Sequence, residues 1–193
     1  MSLPLKNDPR RYGLVSIALH WLMALPIFGL YFLGEYMVDL DYYDPWYIRA
    51  PDLHRSLGIL VAALLMLRLV WRRLNPRPQA EGRAWERRIA AGMHGLLYAL
   101  IGVAALSGYL ISTGDGQGVQ VFGLIEVPAL GDGFHNQEDI AGRIHEFSTH
   151  ALFLLALLHG LAALKHHFLD RDRTLRRMLW PARAPSIPST TEE

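Results

Sequence analysis

Three stretches of this 193-residue chain contain no Asp, Glu, Lys or Arg: Tyr12 to Gly34, Ile89 to Thr113 and Phe147 to Leu164. Each approaches the ~20 residues that a helix needs to cross the hydrocarbon core of a bilayer. Between the first two lies LHRSLGILVAALLMLRLVWRRL, residues 53–74, whose charge-free centre runs from Ser56 to Leu67. Arg55 and Arg68 flank that centre and can snorkel to an interface or hold something anionic. Alone, this fourth run would also suit a buried helix of a soluble protein. Beside three stronger runs it reads as a fourth span. The mean hydropathy of +0.15 is modest because polar loops dilute the apolar runs.

The first run is not a cleavable signal. It is too long for a signal's apolar region, and GEYMVDLDYYD follows it in place of a small-residue cleavage site. Pro26 inside it predicts a kink, tolerable where neighbouring helices satisfy the freed carbonyl.

Charge then orients the spans. Lys6, Arg10 and Arg11 precede the first run. The loop 35–52 has only Arg49 against Glu35, Asp39, Asp41, Asp44 and Asp52. The second loop carries Arg72, Arg73, Arg77, Arg83, Arg87 and Arg88, the third (114–143) only Arg143, and the C-terminal segment Lys165, Arg171, Arg173, Arg176, Arg177 and Arg183. Basic residues therefore alternate rich, poor, rich, poor, rich. The positive-inside rule puts both termini and the second loop in the cytoplasm. The basic segments read as flanks that meet anionic lipid headgroups, not as a nucleic-acid surface.

The expected fold is all-α: four transmembrane helices, about 12–34, 53–74, 89–112 and 143–168, in an antiparallel up-and-down bundle. Residues 12–179 form one membrane domain. Residues 1–11 form a cytoplasmic N-terminal tail, and 180–193 (PARAPSIPSTTEE after Trp180) read as a disordered cytoplasmic tail. Whether the third loop forms an amphipathic helix or a turn-rich lid is left open.

Histidines interrupt this apolar pattern. His20 lies in the first helix, His54 at the start of the second, His94 near the start of the third, and His145, His150 and His159 in the fourth. Ionisable residues inside a membrane are costly and mark function, although a lone histidine also serves helix–helix hydrogen bonding. His145 and His159 are fourteen residues apart, so they share one face, with backbones ~21 Å apart along the axis. His150 lies about 140° round the same wheel and reads as a packing residue.

Topology pairs the rest by depth. His20 sits ~12 Å into the first helix from the cytoplasmic side, matching His159 near the cytoplasmic end of the fourth. His54 and His145 match near the outer surface. Zinc would want more ligands in a tetrahedral set. Copper or carboxylate-bridged iron would want Asp, Glu or Met nearby, and these are sparse. Two imidazoles on opposite faces of a planar macrocycle complete a six-coordinate haem. With no cysteine in the chain it is haem b, not a thioether-attached haem. Ala18, Ala24, Gly58 and Gly160 lie near the histidines and make room for a bulky planar group or for helix packing. Arg55 and Arg143 on the outer side, and Arg68 and His94 on the inner, are candidates for the haem propionates; for each arginine snorkelling is the alternative. His166, at the cytoplasmic boundary, reads as a propionate or lipid contact.

ALHWL (18–22), LHRSLGIL (53–60), AGMHGLLYALIGVAALSGYLIS (91–112) and IHEF with LLHGLAALKHHFLDRDRTLRRML (144–179) resemble the bacterial cytochrome b561 family. That family is grouped with the b-type cytochrome subunit of nickel-iron hydrogenases. The resemblance runs from about Tyr12 to Leu179. It implies four membrane helices, two haems b, His20 and His159 as ligands of the cytoplasmic-side iron, and His54 and His145 as ligands of the outer one. It also implies electron transfer, with a quinone as one partner and superoxide as one described donor.

Iron held by two histidines has no open position, which disfavours oxygen chemistry. The expected function is electron transfer across or along the membrane, to or from a quinone and a further redox partner. The alternative is a haem-bearing anchor subunit of a larger dehydrogenase or hydrogenase complex. A transporter is disfavoured, since no repeated halves with broken helices are evident.

Overall fold

The computed structural model describes residues 4–130 and 133–180; the segment 181–193 lies outside the described residues. Four long helices dominate: α1 (Leu14–Val38), α2 (Arg49–Leu74), α3 (Ala84–Ser112) and α4 (Gln137–Phe168). A two-stranded hairpin, β1 (Val119–Val121) and β2 (Ile125–Val127), lies between α3 and α4, and a short α5 (Thr174–Leu179) follows. All four long helices are apolar enough to cross a membrane, and at most 17% of each one's apolar window is buried inside the protein. Their remaining apolar surface is what a helix in lipid presents to acyl chains.

α1 runs unbroken through Pro26. α2, α3 and α4 begin four to six residues earlier than the apolar runs (Arg49, Ala84 and Gln137 against 53, 89 and 143). Polar turns extend the helices past the hydrocarbon. At α3 the extension is capped: the Glu86 carboxylate accepts from the backbone N–H of Arg83 at 2.7 Å, the half of a capping box in which the third helical residue reaches back to the cap position.

The helices pair chiefly as α1 with α2 and α3 with α4, then α2 with α3; α1 and α4 meet least. Every helix contributes to one apolar layer at mid-height, made of Met23, Val61, Leu65, Ile101 and Leu152. Leu152 stands midway between His145 and His159 in the chain.

The end of the bundle that holds residues 4–13 and the α2–α3 loop is more ordered than a tail and a loop. The Asn7 side chain accepts from the Gly13 N–H (2.9 Å) and the Ser16 hydroxyl (2.7 Å), and donates to the Pro76 carbonyl (3.0 Å). Gln79 N–H donates to the Pro9 carbonyl at 2.9 Å. A Cβ on Gly13 would collide with the Leu5 carbonyl, so only glycine permits this approach. Asn7→Ala removes all three side-chain bonds at once. It is expected to cost about 1–3 kcal/mol, seen as earlier thermal unfolding in detergent with helix content unchanged at low temperature.

At the end of α4, Lys165 bridges Glu86 (3.3 Å) and Asp170 (2.6 Å). The hydrogen bond from Lys165 holds the Asp170 carboxyl below its ordinary range. A depressed carboxylate stabilises at neutral pH and loses that contribution as pH falls through its folded value.

The third loop is a β-hairpin with register Val119↔Val127. Its tip turns through Phe122 and Gly123, both at positive φ (51° and 68°). The buried Ser56 hydroxyl of α2 accepts from the Phe122 N–H at 2.9 Å, which docks the hairpin two residues from His54.

Candidate functional site

His54, from the second turn of α2, faces His145 of α4, with ring centroids 6.1 Å apart. His145 Nδ1 lies 2.9 Å from the Ala104 carbonyl. A carbonyl only accepts, so Nδ1 carries the proton and Nε2 keeps its lone pair, the orientation a metal-binding imidazole takes. The Ser107 hydroxyl is a further 3.3 Å contact of the same nitrogen. His54 Nδ1 is buried and has no hydrogen-bond partner among the described residues, an uncompensated cost unless something polar joins the site.

Two glycines clear space for these rings. A Cβ on Gly108 would lie 3.0 Å from His145 Cε1, and one on Gly34 would lie 3.3 Å from His54 Cε1. Around the pair opens a cavity of about 890 Å³ with walls from all four helices, within the roughly 300–1,000 Å³ typical of ligand pockets. Gly58 and Gly142 line it with open space where a Cβ would be. Gly108→Val is expected to push His145 off its Ala104 hydrogen bond. The check is thermal unfolding in detergent: a lower midpoint in the variant, with helix content unchanged at low temperature.

At the other end His20 of α1 and His159 of α4 have centroids 6.5 Å apart, and His94 of α3 packs 5.1 Å from His159. The Arg68 guanidinium stands 3.4 Å from His20 Nδ1. Arg68 and Arg72 both donate to the Tyr98 hydroxyl, at 3.0 and 3.2 Å, and both lie over its ring, 5.7 and 5.3 Å from the centroid. Neither forms an ion pair with a carboxylate among the described residues. Two half-buried guanidinium groups sharing one neutral phenol leave positive charge to be met by an anion.

The structure thus gathers His20, Arg68, His94 and His159 at one end, and His54 and His145 at the other. Arg55 lines the outer cavity but is tied to Asp52 at 2.5 Å. Arg143 is exposed and is not part of the cavity wall. His166 faces Asp170 (2.8 Å) and Asp172 (3.1 Å), not a site inside the bundle. Sequence reasoning missed Gly34, Ser107, Gly108, Arg72 and Tyr98. The i, i+4 spacing of Arg68 and Arg72 was a readable signal that these two share a helix face. It also set His150 apart, whereas His150 lines the outer cavity from the α1–α4 side.

The donor set tests which group fits. An imidazole–metal–imidazole unit with bonds of about 2.0 Å puts the ring centres roughly 6 Å apart, close to the spacing of both pairs. Among the described residues only Glu86, His166 and Asp170 bring three ligand atoms within 4.8 Å of one another, at the C-terminal end of α4 and beside the Lys165 ammonium. Paired imidazoles without a third ligand, glycine-cleared walls and unneutralised arginines suit a planar, axially ligated, acidic cofactor better than a lone metal ion.

Comparison with known proteins agrees with this chemistry. The family profile described as prokaryotic cytochrome b561 matches residues 11–181. Cytochrome b561 homolog 2 of Escherichia coli (strain K12) is 45% identical over 175 residues, covering 90% of this chain and 93% of that protein. Cytochrome b562 of Cereibacter sphaeroides is 29% identical over 177 residues (88% and 96% covered). The protein named "Probable superoxide oxidase CybB" of Yersinia pestis is 26% identical over 177 residues (88% and 96% covered).

Proposed function

The chain belongs to the prokaryotic cytochrome b561 family, and from that premise we propose that it carries two haems b and passes electrons between the two faces of the membrane, exchanging them with a quinone and with a second redox partner. The observation that carries this reading is the pair of histidine couples, 6.1 and 6.5 Å between ring centres, at opposite ends of one bundle.

His20 and His159 hold the iron on the cytoplasmic side, and His54 and His145 the iron on the outer side. Bound there, haem supplies reversible one-electron chemistry at iron. The chain's residues do the rest. Held by one histidine from each of two helices, the iron would have no ligand position left for oxygen. The Ala104 carbonyl holds His145 in the ligating tautomer. Arg68, with His94 and Arg72 beside it, offers cationic and hydrogen-bonding groups to the inner propionates; Arg55 is placed to do so at the outer cavity. Positive charge there favours the reduced, more negative state of the cofactor. Both termini lie in the cytoplasm on this reading, as the alternation of basic residues requires. The outer first loop, with five carboxylates against Arg49, suits a cationic redox partner.

The test is optical. Purified protein expressed with ample haem is expected to show a low-spin reduced-minus-oxidised spectrum and two b haems per chain by pyridine haemochrome. A chain that binds none would remove the electron-transfer reading.

A further inference from the structure

The end of the bundle that carries His54 and His145 is strongly acidic in a chain of net charge +1. Segments 35–55 and 113–143 together hold ten Asp and Glu against Arg49, Arg55 and Arg143. Arg55 is tied to Asp52, while Asp39, Asp41 and Asp44 form no ion pair among the described residues. Between these carboxylates stand exposed rings. Tyr43 is 91% and Tyr42 77% exposed, and Trp46 and Tyr47 are about half exposed. Short turns hold them in place. The Asp41 carboxylate accepts from the Tyr43 N–H at 2.8 Å and the Asp44 carboxylate from the Trp46 N–H at 2.7 Å. Tyr42 packs edge-on to Tyr43 and Tyr47, with centroids 5.6 and 5.7 Å apart. The Trp46 carbonyl accepts from the Ala50 N–H at 2.9 Å, so the loop turns directly into α2, and His54 follows Trp46 by eight residues.

Exposed Tyr and Trp at the end of a membrane bundle have two natural surroundings, lipid headgroups and another protein. Charge decides between them. Anionic headgroups attract basic segments and repel carboxylates. A basic protein surface satisfies both features: its cations meet the acidic rim, and the rings fill the desolvated centre of the contact. Rings already held in place lose little freedom on docking. We propose that the aromatic and acidic ridge of residues 39–48 is the docking surface for a soluble, basic one-electron carrier protein. The inference rests on the electron-transfer reading above and adds to it the surface and the class of partner. One electron passes per encounter. The iron at the His54/His145 pair goes from ferrous to ferric, and the oxidised centre of the carrier is reduced. No bond forms or breaks and no proton moves; the opposite direction is the same step reversed.

The test uses the purified holoprotein in nanodiscs of neutral phosphatidylcholine, with mitochondrial cytochrome c, a basic soluble haem protein, as the probe. Calorimetry is expected to show binding that weakens as salt is raised and disappears when the lysines of the cytochrome are succinylated. Asp41→Asn combined with Asp44→Asn removes two charges and keeps an oxygen acceptor for each turn; it is expected to weaken binding about tenfold. Tyr43→Ser leaves the charge unchanged and is expected to weaken binding several-fold. A carbodiimide, which joins carboxylates directly to lysines, is expected to cross-link the cytochrome to peptides from residues 39–52. Unaltered binding in both variants, or cross-links confined to other carboxylates, would overturn the docking surface. The lipid alternative has its own readout. The chain has no cysteine, so Tyr43→Cys accepts a single nitroxide label, expected to be open to a water-soluble nickel chelate. A label shielded from the chelate but reached by oxygen dissolved in the bilayer would make the ridge a membrane contact and overturn the proposal. A haem-loaded protein that ignores the cytochrome would overturn the docking surface and leave the electron-transfer reading standing; a chain that binds no haem would remove both.

Discussion

On the proposal of one haem at each histidine pair, His145→Ala is expected to halve the haem content and to leave a haem only at the His20/His159 end. The effect is large because both functions of this side chain disappear together. Its ring faces His54 across the cavity at 6.1 Å between centroids, leaving Nε2 free to ligate. Its Nδ1–H also meets the Ala104 carbonyl, which the substitution leaves without that donor. A haem that loses one axial ligand becomes five-coordinate, weakly held and open to exogenous ligands. Pyridine haemochrome gives the stoichiometry, and carbon monoxide reactivity reports any outer haem that remains. Two haems with unaltered low-spin spectra in this variant would remove His145 from the ligand set. The four histidines are related by depth, so His159→Ala is the mirror experiment at the other end.

The second large effect is electrostatic. Arg68→Leu is expected to keep both haems and lower the midpoint potential of the inner one by on the order of 100 mV. A unit charge roughly 7 Å from the iron, at an effective dielectric constant of about 20, contributes about 2 kcal/mol; a tenfold change in a one-electron equilibrium corresponds to ~59 mV. Reduction adds a negative charge, so losing a neighbouring cation makes reduction harder and the potential falls. Arg68 stands 3.4 Å from His20 Nδ1 and is not ion-paired with a carboxylate side chain among the described residues. Arg68→Lys keeps the charge but not the fork that meets Tyr98, and should recover most of the potential. A redox titration that resolves the two haems decides this; an unchanged inner potential in Arg68→Leu would place the guanidinium outside the cofactor's field.

Much of this architecture is legible because the membrane simplifies the problem. Backbone groups must be satisfied within each span, so a charge-free run of ~20 residues leaves a helix as the simplest answer. Chain direction and helical rise then pair histidines by depth, and the structure brings those same side chains face to face. What escapes is set by contacts distant in sequence. Gly108 is one of several glycines in α3 until the ring of His145 comes up against it. Tyr98 carries no signal of its own in the sequence; two arginines from α2 converge on its hydroxyl only in the folded bundle. His150 is on the wrong face of α4 for His145, but a cavity is wider than a helix face, so both line it. The hairpin of the third loop depends on Ser56, more than sixty residues earlier.

The apolar layer of Met23, Val61, Leu65, Ile101 and Leu152 makes the bundle a conductor for one kind of charge and an insulator for every other. An electron can tunnel through packed hydrocarbon. A proton or hydrated ion would have to shed its water there and find no replacement. Current between the two ends is thus carried without a compensating ion inside the protein. On the proposed reading, each electron that crosses does or absorbs electrical work of about 2.3 kcal/mol for each 100 mV across the membrane, so the membrane voltage adds to the redox driving force in one direction and subtracts from it in the other.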